Sequence, residues 1–361
     1  MATHQHPRNA ADPMPEAMPR APRRPAGRRI LGTAVALAVV IAVFAVLLPR
    51  IADYGDVWGV MSGLSTRELA ALAAATIINL ATYAPPWMAA LPGLGYRQAS
   101  VLTQTSTALS IAVPGGDAVG LAASYAMLRS WRYRTAAIAV AVLVTAAWNQ
   151  IVNVTLPMLA LVLLLLTGGS SPLLLTAGLI GMGVVVGLTI ALVLALRGDR
   201  QARWLGDHAQ RVVNALLCVV RRQRREGWGD AAVGFRHETV GLLARRWHVI
   251  TLAAFAGHLA VFGVLMVTLR ATGVGADQVS WVEAMAAWGL IRLLTAVPVT
   301  PAGVGIVELG LSSALVGFGA GNANAVAAVL LYRVLTVLPT LALGAVFGLT
   351  WRRQRAPEAA T

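Results

Sequence analysis

The stretch Arg292-Leu-Leu-Thr-Ala-Val-Pro-Val-Thr-Pro-Ala-Gly-Val-Gly-Ile-Val-Glu308 interrupts a long apolar run. Pro298 and Pro301 lack a backbone N–H and fix φ, so a helix that enters this stretch cannot continue smoothly through it. Gly303 and Gly305 follow within four residues of the second proline. The stretch also carries an arginine and a glutamate, and charges inside apolar runs are costly and usually functional. It therefore predicts a broken helix with buried charge, around which the rest of the chain is organised.

The composition indicates a membrane protein. Of 361 residues, 57% are hydrophobic and 12% are charged, and the mean hydropathy is +0.70. Several apolar runs reach the roughly 20 residues that cross a bilayer as a helix, so we predict an all-α, polytopic membrane helix bundle. Cys218 is the only cysteine, which excludes a disulfide framework. The net charge of +14 is read mainly as a topology signal, and no nucleic-acid partner is expected.

The apolar runs divide the chain into a tail, a transmembrane domain and a second tail. Residues 1–29 are polar and aperiodic and are predicted to be a disordered cytoplasmic tail. The transmembrane domain is predicted to cover 30–350, followed by a cytoplasmic tail at 351–361. Within the domain, residues 50–67 are predicted to be a loop. Long spans are predicted at 30–48, 69–91, 135–166, 173–196, 249–270 and 325–349, and shorter segments at 99–113, 118–128, 281–297 and 303–318.

The only sizeable polar segment inside this domain, 197–248, is rich in arginine and is predicted to be cytoplasmic. Apolar residues between Trp204 and Val220 fall roughly at helical spacing, which is typical of a basic amphipathic helix on a membrane surface. A solvated cytoplasmic hairpin explains the same pattern equally well.

Arginine-rich segments mark the cytoplasmic side of a membrane protein. This rule places the N-terminal tail and the segments 129–134, 197–248 and 351–355 on the cytoplasmic side of the plasma membrane, so both termini are cytoplasmic. Two hairpins, 99–128 and 281–318, must then enter the membrane from opposite faces. Their segments of about 15 residues suit re-entrant hairpins better than full crossings.

The two hairpins have similar sequences. Ala112-Val113-Pro114 matches Ala296-Val297-Pro298, and Thr155-Leu156-Pro157 matches Val337-Leu338-Pro339 further along. We therefore predict an inverted repeat, with a first unit at about 99–166 and a second at about 281–349, an architecture found in transporters. The alternative is chance similarity between two segments rich in alanine, valine and leucine.

The second break is predicted to bind an anion. A helix that starts inside the membrane presents unpaired N–H groups and the positive end of its dipole, which favour a phosphate. Pro301 suits a first helical turn, and Gly303 and Gly305 let a ligand approach the backbone closely. Arg292 and Arg333 would add charge-assisted contacts to such a phosphate.

The remaining charges allow two interpretations. Glu308 would pair with an arginine, engage a cationic headgroup or carry a proton, and the first break, Pro114-Gly115-Gly116-Asp117, supplies Asp117 as its counterpart. The alternative is that the buried charges pair with one another as structural clamps. His258 is expected to be a hydrogen-bonded packing residue, and Asn149 and Asn153 to link helices.

No catalytic or metal-binding constellation is recognisable in the sequence. The six histidines are scattered, and no glycine-rich nucleotide loop is present. We therefore predict no cofactor and no metal, and we expect that the chain is not an enzyme.

The pattern Pro298-Val-Thr-Pro301-Ala-Gly303-Val-Gly305-Ile-Val-Glu308, with Tyr332-Arg333 and Gly344 downstream, resembles the lysylphosphatidylglycerol synthase transmembrane family, also described as flippase-like. The Pro114–Asp117 segment and the basic loop after it match the family's first half, and the resemblance covers roughly 30–350. It implies that Arg292, Glu308, Arg333 and Asp117 correspond to the family's intramembrane charges. In the best-known members this module is fused to a lipid synthase domain. Because no such domain is recognisable before Thr361, we expect no transferase activity.

These observations predict a translocase for a membrane phospholipid or a lipid-linked headgroup. The alternative is a membrane subunit that presents lipid to a separately encoded glycosyltransferase or lipid synthase, docked on 197–248. A stand-alone membrane enzyme is a third reading, for which no catalytic set is found. The sequence does not fix the oligomeric state.

Overall fold

The computed structural model describes residues 53–112, 116–166, 197–219, 227–295, 300 and 303–351, with isolated positions at 176, 183, 186, 187 and 190. All regular elements in these ranges are helices, which confirms the predicted all-α fold. In chain order they are α1 Tyr54–Ser62, α2 Thr66–Ala81, α3 Pro85–Ala90, α4 Tyr96–Ala112, α5 Gly116–Ser130, α6 Thr135–Leu166, α7 Asp199–Val219, α8 Trp228–Ala271, α9 Trp281–Leu294, α10 Ile306–Phe318 and α11 Asn322–Thr350.

Four stretches of the described chain are long and apolar enough to cross a membrane: Thr66–Ala90, Thr135–Leu164, Trp228–Ala271 and Asn322–Thr350. They contain the predicted spans 69–91, 135–166, 249–270 and 325–349 almost completely. The predicted tails, the span at 30–48 and nearly all of the span at 173–196 lie outside the described residues. The chain is therefore a multi-pass membrane helix bundle.

The two predicted hairpins are pairs of short helices. Helices α4 and α5 have 17 and 15 residues, and α9 and α10 have 14 and 13. At 1.5 Å per residue these helices are about 20–26 Å long, which is less than the roughly 30 Å of a bilayer's hydrocarbon core. Their lengths favour re-entrant hairpins.

The helices of the two predicted repeats pack across each other. Helix α4 contacts its hairpin partner α5 and the long helix α11, whereas α9 contacts its partner α10 and the long helix α6. The first helix of each unit thus packs on the last helix of the other unit. An inverted repeat would produce this reciprocal packing, and the repeat itself stays a prediction.

Glycines permit the closest approach at both of these crossings. A Cβ at Gly289 of α9 would lie 2.6 Å from Cβ of Pro157 in α6, and a Cβ at Gly344 of α11 would lie 2.5 Å from the carbonyl oxygen of Gln104 in α4. Small residues at such positions let membrane helices pack backbone to backbone.

Two element boundaries differ from those predicted. The region 50–67, predicted to be a loop, contains α1, because Asp53 caps it by accepting a hydrogen bond from the Gly55 N–H at 2.7 Å. Helix α1 also buries Val57 against Val326 and Ala327 of α11. In addition, α8 runs unbroken for 44 residues, so the predicted span at 249–270 is only its second half.

The basic 197–248 segment contains a pair of packed helices. Helix α7 lies against the first part of α8, with ion pairs of 2.6 Å between Arg203 and Asp230 and between Arg236 and Asp199. This arrangement fits the predicted hairpin, whose cytoplasmic position stays a prediction. Contact of α7 with a membrane surface, the other alternative, stays a prediction.

Candidate functional site

A cavity of about 920 Å³ lies between the two broken hairpins. Its walls include Gly116 and Asp117 at the first break and Arg292, Thr300 and Gly303 at the second. Helices α3 to α6, α8 and α9 all contribute residues to it, as do Thr82 and Tyr83 between α2 and α3. We refer to it as the polar cavity, because both breaks and many hydroxyl groups meet there.

The second break opens into this cavity through Thr300. Helix α9 ends at Leu294 and α10 begins at Ile306. Thr300 is only 5% exposed, and no described residue gives its Oγ1 a hydrogen bond. A buried hydroxyl without a partner costs about 1–3 kcal/mol, so this group is an unsatisfied polar atom buried in the cavity wall.

Gly303 lies on the same wall with φ +65°. A Cβ at this position would lie 2.8 Å from Cγ2 of Thr295. Both the backbone conformation and the space therefore call for glycine, whereas the predicted close approach of a ligand at Gly303 stays a prediction.

Arg292 is held in place at the end of α9. Its Nε donates to Oδ1 of Asn153 in α6 at 3.0 Å, and its Cζ lies 4.8 Å from the ring centroid of Trp288. Nε1 of Trp288 donates in turn to the hydroxyl of Tyr332 at 3.0 Å. These contacts fix a positive charge on the wall of the polar cavity.

Asn153 also binds His258, so it links three helices. Its Oδ1 lies 3.0 Å from Nε2 of His258 in α8, while Nδ1 of His258 lies 2.9 Å from the Ala254 carbonyl oxygen. The expectation that Asn153 links helices and that His258 is hydrogen-bonded is confirmed. Asn149, one turn earlier, lines the cavity instead.

Glu308 and Arg333 form a separate, buried ion pair. Nε of Arg333 donates to Oε1 of Glu308 at 2.8 Å, and the N–H of Gly305 donates to Oε2 at 2.6 Å. The Glu308 side chain is 4% exposed, and neither charged residue is among the described residues that line the cavity. This geometry fits the predicted clamp interpretation for these two charges, and we refer to the pair as the Glu308–Arg333 clamp.

At the first break, Gly116 and Asp117 begin α5. A Cβ at Gly116 would lie 2.6 Å from the carbonyl oxygen of Leu109, so glycine allows α5 to pack closely on α4. Asp117 is exposed and faces the cavity from the first turn of α5. The other predicted site residues at the breaks, Pro114, Gly115, Pro298 and Pro301, lie outside the described residues.

Sequence reasoning missed the hydroxyl-bearing face of α4. Thr103, Ser106, Thr107 and Ser110 all line the cavity. Their spacing of three, four and seven residues places them on one face of a helix and was a readable signal. The aromatic residues Tyr83, Trp87 and Trp148 complete the lining.

The lining suits a polar, negatively charged group attached to an apolar molecule. Arg292 supplies a fixed cation, and the hydroxyl-bearing face of α4 supplies hydrogen-bonding groups. Among the described residues, no group of three or more His, Cys, Asp or Glu side chains is placed to hold a metal ion.

Comparison with known proteins gives one match. Residues 30–344 match the family described as "Lysylphosphatidylglycerol synthase TM region", which covers most of the chain. Searches of curated proteins and of solved structures each found no match. The chain is therefore a multi-pass membrane protein that belongs to the lysylphosphatidylglycerol synthase transmembrane family, which is related to lipid modification or transport.

Proposed function

We propose that this protein is a translocase that moves an anionic phospholipid or a lipid-linked headgroup across the plasma membrane. The observation that carries the proposal is the polar cavity, which brings both broken hairpins together around Arg292. The reciprocal packing of the two units supports it, because transporters of this kind place their substrate site between inverted repeats.

In this proposal the headgroup enters the polar cavity while its acyl chains stay in lipid. The phosphate meets the Arg292 guanidinium and the hydroxyl-bearing face of α4. Gly303, on the same wall, places backbone near the phosphate close to the start of α10. The Glu308–Arg333 clamp holds α10 against α11 and takes no direct part in binding.

The test is a lipid translocation assay in liposomes that contain the purified protein and fluorescent phosphatidylglycerol. We expect Arg292→Gln to slow translocation at least tenfold, because the variant removes the positive charge but keeps a polar side chain. One charge-assisted hydrogen bond is worth about 1.5–3 kcal/mol, or roughly a factor of ten or more. Equal rates for wild type and Arg292→Gln would contradict the proposed site.

Arg97→Gln is the matched control. Arg97 is exposed in the first turn of α4 and does not line the cavity, so its loss removes the same charge without touching the site. Wild-type translocation is expected for this variant.

The rival proposal is a membrane subunit that presents lipid to a separately encoded glycosyltransferase or lipid synthase. The α7–α8 hairpin favours it, because Trp204 and Trp247 are each 58% exposed beside many arginines. Under this proposal the isolated protein moves no lipid, and a defined transferase binds it only when the hairpin is intact. Under both proposals the chain itself performs no catalysis.

A further inference from the structure

His258 is buried, with 6% of its surface exposed, yet it lines the polar cavity. Both of its ring nitrogens face hydrogen-bonding atoms. Nδ1 lies 2.9 Å from the carbonyl oxygen of Ala254, and Nε2 lies 3.0 Å from Oδ1 of Asn153.

The orientation of the Asn153 amide decides what His258 can do. Oδ1 of Asn153 also accepts from Nε of Arg292 at 3.0 Å, and Nδ2 of Asn153 lies 3.3 Å from Oε1 of Gln150. Because an arginine nitrogen can only donate, the hydrogen-bond network assigns the atom facing His258 as an oxygen. Both nitrogens of His258 therefore face acceptors.

A neutral imidazole has one N–H and one lone pair, so it satisfies only one of these two acceptors. A protonated imidazole donates to both. The hydrogen-bonding arrangement around His258 is therefore already built for a second proton.

The burial of the ring opposes that proton, and so does the charge of Arg292. Its Nε and the Nε2 of His258 are bonded to the same oxygen, so they are no more than twice 3.0 Å apart. A cationic imidazole would be repelled by the guanidinium at this distance. An anionic group beside Arg292 would cancel that repulsion.

Few other charges face His258 from the helices packed on α8, which are α2, α3, α6, α7, α9 and α11. Helices α3 and α6 carry no titratable residue, and the charges of α2 lie in its first turn, where Arg67 is exposed and Glu68 is half-buried. The second acid or base on α9, Glu283, bonds to Ser280 at the start of the helix. Helix α7 meets α8 at Asp230, Arg236 and His237, at least five turns before His258.

The remaining groups are engaged or stand across the cavity. On α11, Arg333 pairs with Glu308, and Tyr332 accepts a hydrogen bond from Trp288. Tyr83 and Asp117 are the only other titratable residues among the described lining residues. Arg292 is therefore the charged residue that shares a hydrogen-bond acceptor, Oδ1 of Asn153, with His258.

Resting on the translocase function proposed above, we propose that His258 takes up one proton when an anionic headgroup enters the cavity, so that each headgroup moves together with one proton. The proton comes from water, bonds to the free lone pair of the imidazole, and returns to water when the anion leaves. Binding of proton and anion strengthen each other by the same factor, as linkage requires. The combined movement is electrically neutral.

Proteoliposomes of phosphatidylcholine with a trace of fluorescent phosphatidylglycerol test this coupling at equilibrium. A gradient of about one pH unit should enrich the probe about tenfold in the leaflet facing the alkaline side, and a protonophore should abolish the enrichment. Protein-free liposomes correct for passive movement of the probe. An equal distribution with wild-type protein that moves the probe overturns the coupling but leaves the translocase function standing.

The variant His258→Gln separates the proton from the hydrogen bond, because the amide donates to Asn153 but cannot take up a proton. With this variant, the fluorescent phosphatidylglycerol should be equally distributed between the leaflets under the same pH gradient. His248→Gln is the matched control, since His248 is exposed ten residues earlier on α8 and should keep the enrichment. Enrichment by His258→Gln equal to that of wild type overturns the proposal.

If wild type moves no probe, the proposed translocase function is wrong. A binding measurement then still tests whether His258 takes up a proton when the anion binds. Purified protein in detergent should take up about one proton per bound dioleoylphosphatidylglycerol, detected with a pH indicator, and none with uncharged dioleoylglycerol. No uptake by wild type, or the same uptake by His258→Gln, overturns the linkage.

Discussion

At the scale of single residues, Glu308 makes two buried contacts that hold the second unit together. Its carboxylate accepts from the backbone N–H of Gly305 and from Nε of Arg333, and the residue is 3% exposed. The first contact caps α10, and the second ties α10 to α11. Gly305 has φ +90°, a conformation that glycine adopts without strain. The start of the second half-helix therefore depends on one buried charge.

We expect Glu308→Ala to lower the free energy of unfolding in detergent by about 3–5 kcal/mol, because Arg333 loses its carboxylate partner in a buried setting. Glu283→Ala is the matched control: Glu283 makes the same backbone cap at the start of α9, with Ser280, and should cost only about 1 kcal/mol. Titration with denaturant measures both values.

Removing both members of the clamp should cost less than removing one. The double variant Glu308→Leu with Arg333→Met leaves no unpaired charge, so we expect it to be more stable than Glu308→Ala. Each change is also made alone. If the double variant loses as much unfolding free energy as Glu308→Leu and Arg333→Met lose together, the paired role is contradicted.

At the scale of elements, the breaks matter because they end α4 and α9 inside the bundle and restart the chain as α5 and α10. The reciprocal crossings of α4 with α11 and of α9 with α6 then hold both breaks against one cavity. Gly289 and Gly344 make those crossings close. Changes at these glycines should therefore affect stability and the cavity together.

We predict that Gly289→Ala destabilises the protein by about 1–3 kcal/mol, because the new methyl group overlaps Pro157 of α6. Gly263→Ala, in α8, is the matched control, since a Cβ there meets nothing within 4 Å. That change should be neutral or stabilising by up to about 1 kcal/mol through helix propensity. Thermal unfolding in detergent compares the two, and a neutral Gly289→Ala would show that the crossing is looser than described.

At the scale of the whole molecule, the predicted inverted repeat makes a topological claim. The loop between α5 and α6 and the loop between α10 and α11 occupy corresponding places in the two units. Inverted units put these two loops on opposite sides of the membrane.

Cysteine labelling tests that claim after Cys218, the only cysteine, is replaced by serine. A cysteine at Arg132 should react with a membrane-impermeant reagent only in permeabilised cells, whereas one at Asn322 should react in intact cells. Labelling of both from the same side would show that the units are not inverted.

Much of the fold follows from local sequence. Apolar length predicts the four long membrane helices, and Pro114 and Pro298 mark the two breaks. Hydropathy shows where a helix meets lipid, however, and not where it begins. The predicted span at 249–270 therefore covers only the second half of α8, which continues back to Trp228 through polar residues that are compatible with a helix.

The site was predicted in part. Arg292, Asp117, Gly116 and Gly303 were identified from the sequence, and all four line the cavity. Thr300 was not identified, because a threonine in an apolar run shows no sign of being unpartnered until its neighbours are known.

The sequence by itself determined that this chain is an all-α membrane protein of its family, with two breaks and charges beside them, because length, hydropathy and proline act locally. Only the tertiary structure decided how those charges divide. Arg292 and His258 face the polar cavity and share Asn153 as a hydrogen-bond partner, whereas Glu308 and Arg333 turn to each other. The physical reason is that a buried charge is governed by its partner, and partners here lie as far apart in the chain as Asn153 and Arg292.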